Sequence, residues 1–205
     1  MIMIEILQAD KITKEHIAQA LALDRISYDE IYHLDLETCQ AYFRKNPLIY
    51  IMANDTVAKK IIGYINFSPV TEAAYSRILS GQVIDTVIRG NDIVEYSDKQ
   101  ACRGYLSSVV VHPDHRQRGY ARLMLSKLSE LLCKLAEERG IFFKGIVADA
   151  VSDAGYRLLY HMGFEQVKSS AHATRIMCFN PFSDSARKTD LNKSVLSIYQ
   201  RKAIS

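Results

Sequence analysis

The feature that most constrains this chain is a strand, a turn and a helix that follow one another directly from residue 106 onward. An apolar run leads into a short turn with Arg116 and Arg118, and Gly119 precedes a strongly amphipathic stretch. The first amides of a helix have no intrahelical acceptor, and the helix dipole and the two guanidinium groups add positive charge there. Because glycine has no side chain, an anion can approach this backbone closely. The segment therefore predicts a site for a phosphorylated cofactor.

Composition limits what kind of protein this is. The chain has 205 residues, of which 48% are hydrophobic and 24% are charged, which is enough for a substantial core and argues against global disorder. The formal net charge of +3 is too small to indicate nucleic-acid binding by itself. The four cysteines are scattered without a CxxC spacing, so neither a zinc ribbon nor a dithiol redox site is expected.

Local patterns in the sequence argue against a signal peptide, a membrane-spanning helix and a metal site. The N-terminal residues lack the basic region and long apolar run of a signal peptide, and no window approaches about 20 uninterrupted apolar residues. We therefore expect a cytoplasmic protein without a membrane-spanning helix. His112 and His115 are three residues apart, but Pro113 interrupts helical geometry between them and no third ligand is evident, so no metal site is expected.

Apolar spacing along the chain predicts alternating strands and helices. Strands are expected at residues 1–7, 48–53, 60–67, 104–112, 141–150, 164–168 and 174–179, and helices at 12–31, 35–45, 121–139 and 152–162. Thr13 is the expected N-cap of the first helix. This order indicates a mixed sheet covered by helices, between the α/β and α+β classes.

The domain organisation is expected to be simple. We expect one domain over residues 1–182, followed by a C-terminal extension at 183–205. Residues 70–103 contain several apolar anchors and are interpreted as an ordered insertion of that domain beside the active cleft, since a structureless loop of this length is unusual. The extension is polar with a short apolar cluster near Leu196, so it fits either a terminal helix or a mobile tail.

With these motifs the chain resembles the GNAT superfamily of N-acetyltransferases. The family's cofactor loop, [Gln/Arg]-x-x-Gly-x-[Gly/Ala], is matched in full by Arg116-Gln117-Arg118-Gly119-Tyr120-Ala121. A second family segment has Asn-x-x-Ala and then a Gly-Phe pair, and Ser152-Asp153-Ala154-Gly155 precedes Gly163-Phe164 at the usual distance. The usual tyrosine position is Leu159, and Tyr160 follows one residue later, a rotation of about 100° on a helix.

The resemblance implies a central mixed, mostly antiparallel sheet flanked by helices, in which the strand before the cofactor loop splays from its neighbour. It also implies that acetyl-CoA is the acetyl donor and that no metal is needed. The implied cofactor-binding residues are Val109, Val110, Val111, Arg116, Gln117, Arg118, Gly119, Tyr120, Ala121 and Ser152. Among these, the backbone N–H of Val109 would polarise the thioester carbonyl.

The same resemblance implies an enzyme that transfers the acetyl group to a primary amine of a small molecule or a protein, by direct attack in a ternary complex. Tyr160 is the candidate acid, and Glu95, Asp92 and Asp149 are the candidate bases. No nucleic-acid or membrane partner is implied, and a monomer and a homodimer are both compatible. The alternative function is a non-catalytic acyl-CoA sensor on the same fold. A dinucleotide-binding enzyme is disfavoured because neither glycine-rich nucleotide motif is present.

Overall fold

The structure, a computed structural model, describes residues 3–83, 85–183 and 186–203. Two residues of the predicted first strand, one of the predicted insertion and four of the predicted extension lie outside this part of the chain: Met1, Ile2, Ile84, Asp184, Ser185, Ile204 and Ser205. The strands are β1 (Ile4–Gln8), β2 (Tyr50–Asp55), β3 (Lys60–Val70), β4 (Ala101–Val111), β5 (Phe142–Ala150), β6 (Glu165–Ser169) and β7 (Arg175–Phe179). The α-helices are α1 (Lys14–Arg25), α2 (Leu36–Lys45), α3 (Glu72–Ser80), α4 (Tyr120–Arg139), α5 (Asp153–His161) and α6 (Lys193–Ala203).

Within the described residues, the strands form one seven-stranded sheet in the order β1-β2-β3-β4-β5-β7-β6. All neighbouring pairs are antiparallel except β4 and β5. A parallel pair needs a crossover connection, and α4 supplies it. The predicted mixed, mostly antiparallel sheet flanked by helices is therefore confirmed.

Helix α4 covers one face of the sheet because its apolar residues fall on one stripe. Met124, Leu125, Leu128 and Leu135 on that stripe are all buried. The helix ends at Gly140, which takes a left-handed conformation with φ of 64° and allows the chain to turn directly into β5. The predicted glycine stop is therefore confirmed.

Helices α1, α2 and α3 lie over the opposite face. Thr13 caps α1 as predicted, since its side chain accepts a hydrogen bond from the backbone N–H of His16 (3.3 Å). The predicted extent of this helix, 12–31, was wrong because the helix ends at Arg25. The N–H groups of Ser27 and Tyr28 both donate to the carbonyl of Asp24, which closes the last turn.

The region predicted as an insertion begins with an extension of β3 to Val70 and contains α3, whose N-cap is Thr71. Short 3-10 turns follow, and Ile88 and Ile93 among them are buried against α2. An isolated bridge between Val70 and Ile93 ties the segment to the end of β3. These contacts hold the region against the α1–α2 face of the sheet.

The C-terminal segment forms the helix α6 rather than a mobile tail. Val195, Leu196 and Tyr199 are buried in the core cluster that also contains the α4 stripe. The side chain of Asn192 donates to the carbonyl of Met162 (2.8 Å), so the approach to α6 also contacts the end of α5. None of the described helices has both the length and the apolar character that a membrane span requires.

Candidate active site

The site begins where β4 and β5 separate. Their last parallel pair is Tyr105 with Val147. Beyond this point β5 continues along β7, where Asp149 pairs with Ile176, while β4 stays with β3. The two central strands therefore diverge and leave an opening in the middle of the sheet, the splay that the family resemblance implied.

A β-bulge at Ser107 accompanies this divergence. Ser108 pairs with Asn66 and Leu106 pairs with Phe67, so Ser107 has no partner of its own in the register. Its hydroxyl donates to the side-chain carbonyl of Asn66 (3.0 Å). A bulge increases the local twist of a strand, which here turns the second half of β4 away from β5.

The main chain of Val109 faces the opening. The N–H of His112 donates to the carbonyl of Ile62 on β3 (2.8 Å). Because the direction of main-chain groups alternates along an antiparallel strand, Val110 also faces β3, whereas Val109 and Val111 face away from it. The carbonyl of Val111 is taken by Arg116 Nε (3.1 Å), which leaves the N–H and carbonyl of Val109 available in the opening.

The opening continues into a cavity of about 480 Å³, a volume typical of small-molecule sites. Of the predicted cofactor-binding residues, those that line it are Val109, Val110, Val111, Arg116, Ala121 and Ser152. The other four, Gln117, Arg118, Gly119 and Tyr120, form the turn beside the cavity at the start of α4. Ser152 caps α5, since its hydroxyl accepts from the N–H of Gly155 (3.1 Å).

The turn before α4 has the features of an anion site. Gln117 and Gly119 take left-handed conformations, with φ of 59° and 83°. The first-turn amides of any helix have no intrahelical acceptor, and in α4 no side chain caps them either. A Cβ placed on Gly119 would meet no atom within 4 Å, so steric crowding does not require a glycine here. The left-handed backbone angle favours glycine, and the missing side chain leaves open space beside the backbone. Arg118 is exposed beside these amides and adds positive charge.

Of the three candidate bases, Asp149 lines the cavity. Burial raises the pKa of this carboxyl, and a hydrogen bond from Thr174 offsets the rise in part. Its Oδ1 is buried without a hydrogen-bond partner. Asp149 lies two residues beyond Val147, the last residue of β5 that pairs with β4, and so across the opening from the bulged part of β4. A carboxyl in this position can accept a proton from a group held in the opening.

The structure does not bring the other two candidate bases to the cavity. Glu95 is exposed over 68% of its side chain and forms an ion pair with Lys45 (3.1 Å). Asp92 accepts from Arg77 Nη2 (2.8 Å) and from the N–H of Arg89 (2.9 Å). Neither carboxyl lines the cavity. The expectation that Glu95 acts at the site is therefore corrected: its carboxylate lies in a surface ion pair.

The candidate acid, Tyr160, also lies outside the cavity. It is 48% exposed, with the Arg187 guanidinium 3.9 Å from its ring centre and Tyr156 stacked on it. The preceding residue, Leu159, is the one that is buried and lines the cavity. One residue on a helix turns the side chain by about 100°, so the displacement of the tyrosine by one position moves its hydroxyl outward. The structure gives no geometric basis for Tyr160 as the acid.

Sequence reasoning missed a second carboxyl in the cavity, Asp24 at the end of α1. It is only 8% exposed, and the hydroxyl of Tyr64 donates to its Oδ1. Burial raises the pKa of Asp24 to about 6, although the Tyr64 hydrogen bond and the nearby His33 oppose the rise. A signal was present in the sequence: with Ile17 and Leu21, Asp24 falls on the buried stripe of α1, where a charged residue is unexpected.

Two kinds of comparison relate this chain to known proteins. The Acetyltransferase (GNAT) family matches residues 14–164. The loading GNATL domain of CurA from Lyngbya majuscula has a TM-score of 0.63 at 12% identity, over 87% of this chain and 98% of that one. Naa20 from Chaetomium thermophilum, in complex with a bisubstrate analogue, has a TM-score of 0.58 at 15% identity, over 91% and 93% of the two chains. Mosquito arylalkylamine N-acetyltransferase like 5b has a TM-score of 0.55 at 15% identity, over 87% and 100%. No curated protein was found to match the sequence.

Proposed function

Because the chain belongs to the Acetyltransferase (GNAT) family, we propose that it is an N-acetyltransferase that moves the acetyl group of acetyl-CoA to a primary amine. The observation that carries this proposal is the combination of an uncapped α4 with an adjoining cavity between β4 and β5. The uncapped start of α4 is suited to a diphosphate, and the cavity is suited to an extended amide-bearing arm that ends in a thioester.

In this proposal the turn before α4 binds the diphosphate of CoA. The free amides from Gly119 to Ala121 donate to its oxygens, and Arg118 adds charge without a metal. The pantetheine arm then lies along β4, where the N–H and carbonyl of Val109 pair with its amides or with the thioester. Such pairing resembles the addition of a short strand to an open sheet edge.

The chemical step needs a neutral amine and a polarised thioester. The N–H of Val109 would polarise the carbonyl and stabilise the oxyanion that forms on attack. Asp149 would take the proton from the substrate ammonium, directly or through water, and the amine nitrogen then attacks the carbonyl carbon. The C–N bond forms and the C–S bond then breaks, and as the tetrahedral intermediate collapses the nitrogen loses its second proton to the departing CoA thiolate, directly or through water, so that CoA leaves as the thiol. A thiol has a pKa of about 8.5, so the thiolate is a good leaving group without a positioned acid.

A second candidate function is an acyl-CoA sensor that does not catalyse transfer. The outward position of Tyr160 favours it, because this exposed hydroxyl does not line the cavity in which the thioester would lie. Release of free thiol from acetyl-CoA, followed with a panel of amines, separates the two functions. Release with at least one amine supports the enzyme, whereas CoA binding without release for any amine supports the sensor.

The binding half of the proposal is tested at Gly119. Gly119→Asp places a carboxylate at the diphosphate position, so we expect CoA affinity measured by calorimetry to fall by more than about 100-fold, the effect of exchanging an attractive for a repulsive charged contact. Gly119→Ala is the matched control, because it carries the same left-handed strain of about 1–2 kcal/mol without a charge. Equal affinities for the two variants would contradict this placement of the diphosphate.

A further inference from the structure

Asp24 is a buried carboxyl that no lysine or arginine pairs with in the described part of the chain, and the cationic group that acts on it there is the His33 imidazole, through its charge. Its residue is 8% exposed, and Tyr64 is the hydrogen-bond donor to its side chain. Across the described residues, no lysine or arginine forms an ion pair with Asp24 or with Asp149. Buried charges are normally paired, so a carboxyl held in this way indicates that its counter-charge comes from outside the protein.

The position of Asp24 on its helix adds to the demand for a positive charge. Asp24 is the penultimate residue of α1, where the helix dipole contributes partial negative charge. A carboxylate is disfavoured at this end of a helix and a cation is favoured. The local backbone therefore strengthens the attraction of the site for a cation rather than compensating the carboxylate.

Aromatic side chains line the cavity that contains Asp24. Tyr28, Tyr50, Tyr64 and Tyr105 are among its lining residues. Tyrosine rings attract cations through their electron-rich faces, and their apolar edges pack well against methylene groups. An ammonium group on a short hydrocarbon chain matches both properties.

The cavity thus has two acidic positions. Asp149 lies at the opening beside Val109, whereas Asp24 lies on the α1 side, where Tyr64 pairs with Val110 on β4. We propose that Asp24 and Tyr64 bind a second, distal ammonium group of the acceptor, so that the acceptor class is a short diamine. This inference rests on the proposed acetyltransferase function. The proximal amine reacts at Asp149 while the distal ammonium is held by Asp24.

The α1–α2 end of the cavity favours a small acceptor over a peptide. Tyr42 and Ile88 both line it and are buried, and the Tyr42 hydroxyl donates to the carbonyl of Ile88 (2.5 Å). This contact joins α2 to the segment after α3. A diamine ends within such a pocket, whereas a peptide needs a groove through which its chain can continue.

The test compares acceptors that differ only in the distal charge. Thiol release from acetyl-CoA is measured for the wild-type protein with 1,4-diaminobutane, with butylamine and with a peptide that has a free N-terminus. We expect kcat/KM for the diamine to exceed that for butylamine by about 10-fold or more, the effect of one charge-assisted hydrogen bond. Equal values for the two amines, or transfer to the peptide alone, would overturn the diamine inference and leave the proposed acetyltransferase function intact.

Variants then assign the preference to Asp24. Asp24→Asn keeps an acceptor for the Tyr64 hydroxyl but removes the charge, and we expect the ratio of diamine to butylamine kcat/KM to fall to about 1. Asp29→Asn, an exposed carboxyl just beyond α1, is the control and is expected to keep the wild-type ratio. An unchanged ratio in Asp24→Asn would overturn the inference. Absence of thiol release with every amine would overturn the proposed enzyme function and this inference with it.

Discussion

The buried carboxyl of Asp24 should make the protein less stable as the pH rises. Burial raises its pKa from 3.8 to about 6, so the folded state holds the proton more tightly than the unfolded state does. Stability from this group is therefore greatest below about pH 4 and falls as the pH rises through 6. Ionisation of the buried Asp24 lowers the free energy of unfolding by about 3 kcal/mol at pH 7.5 and by about 1 kcal/mol at pH 4.5.

Asp24→Asn removes this pH-dependent cost, because asparagine is neutral and still accepts the hydrogen bond from Tyr64. We expect the free energy of unfolding of the variant, relative to wild type, to increase by about 2 kcal/mol between pH 4.5 and 7.5. For a chain of this length the same change raises the melting temperature by about 4–8 °C. Urea unfolding followed by circular dichroism at both pH values measures it, in buffers that contain no amine.

Asp29→Asn provides the matched control, since Asp29 is exposed and makes no side-chain capping bond. We expect it to change stability by less than about 0.5 kcal/mol at either pH. If Asp24→Asn shifted stability equally at pH 4.5 and 7.5, the carboxyl would not be buried in its charged form, and the reasoning about its counter-charge would fail. If the variant is stabilised as expected, the protein retains Asp24 at a cost in stability, which is typical of functional rather than structural residues.

Three further predictions concern the site and its support. Asp149→Asn should lower kcat for thiol release by about 100-fold, since it removes the proposed base; in the wild type kcat should fall as the pH drops through the raised pKa of Asp149. Tyr160→Phe should leave kcat within about twofold of wild type in the same assay, because the hydroxyl lies outside the cavity. Gly63→Ala should cost about 1–3 kcal/mol in urea unfolding, since its Cβ would lie 2.8 Å from the carbonyl oxygen of Val110, whereas Gly90→Ala meets no atom within 4 Å and should cost far less.

Each of these expectations has an outcome that contradicts it. A kcat for Asp149→Asn within threefold of wild type would remove this residue as the base. A large loss of kcat in Tyr160→Phe, with CoA affinity unchanged, would indicate that the tyrosine hydroxyl takes part in the chemical step. Equal stabilities of the two alanine variants would indicate that β3 and β4 move apart more easily than their packing suggests.

Much of the fold could be predicted because its signals are local. The apolar stripe of α4, the glycine at its end and the capping threonine of α1 each depend on spacing within a few residues. The anion turn was predictable for the same reason, since the arginines, the glycine and the helix that follows are adjacent in sequence. The extent of α1 could not be predicted in this way. The helix ends where the N–H groups of Ser27 and Tyr28 both donate to the carbonyl of Asp24, and apolar periodicity does not indicate this end.

The proposed catalytic groups were harder to predict because the contacts that distinguish them are long-range. Glu95, Asp92 and Asp149 look alike in sequence, and what separates them is that Lys45 and Arg77 lie beside the first two. These partners are about 50 and 15 residues away along the chain, so no local pattern records them.

The sequence by itself therefore determined the order of the strands and of the helices α1, α2, α4 and α5, the family likeness and the position of the turn suited to a diphosphate, because each follows from neighbours along the chain. The tertiary structure decided which carboxyls share a cavity. It places Asp24 from α1 and Asp149 from β5 on the same face of the sheet, and it opens the space between β4 and β5. Burial and, among the described residues, the lack of a lysine or arginine partner are properties of that packing, and they make these two aspartates the candidates for an acceptor site.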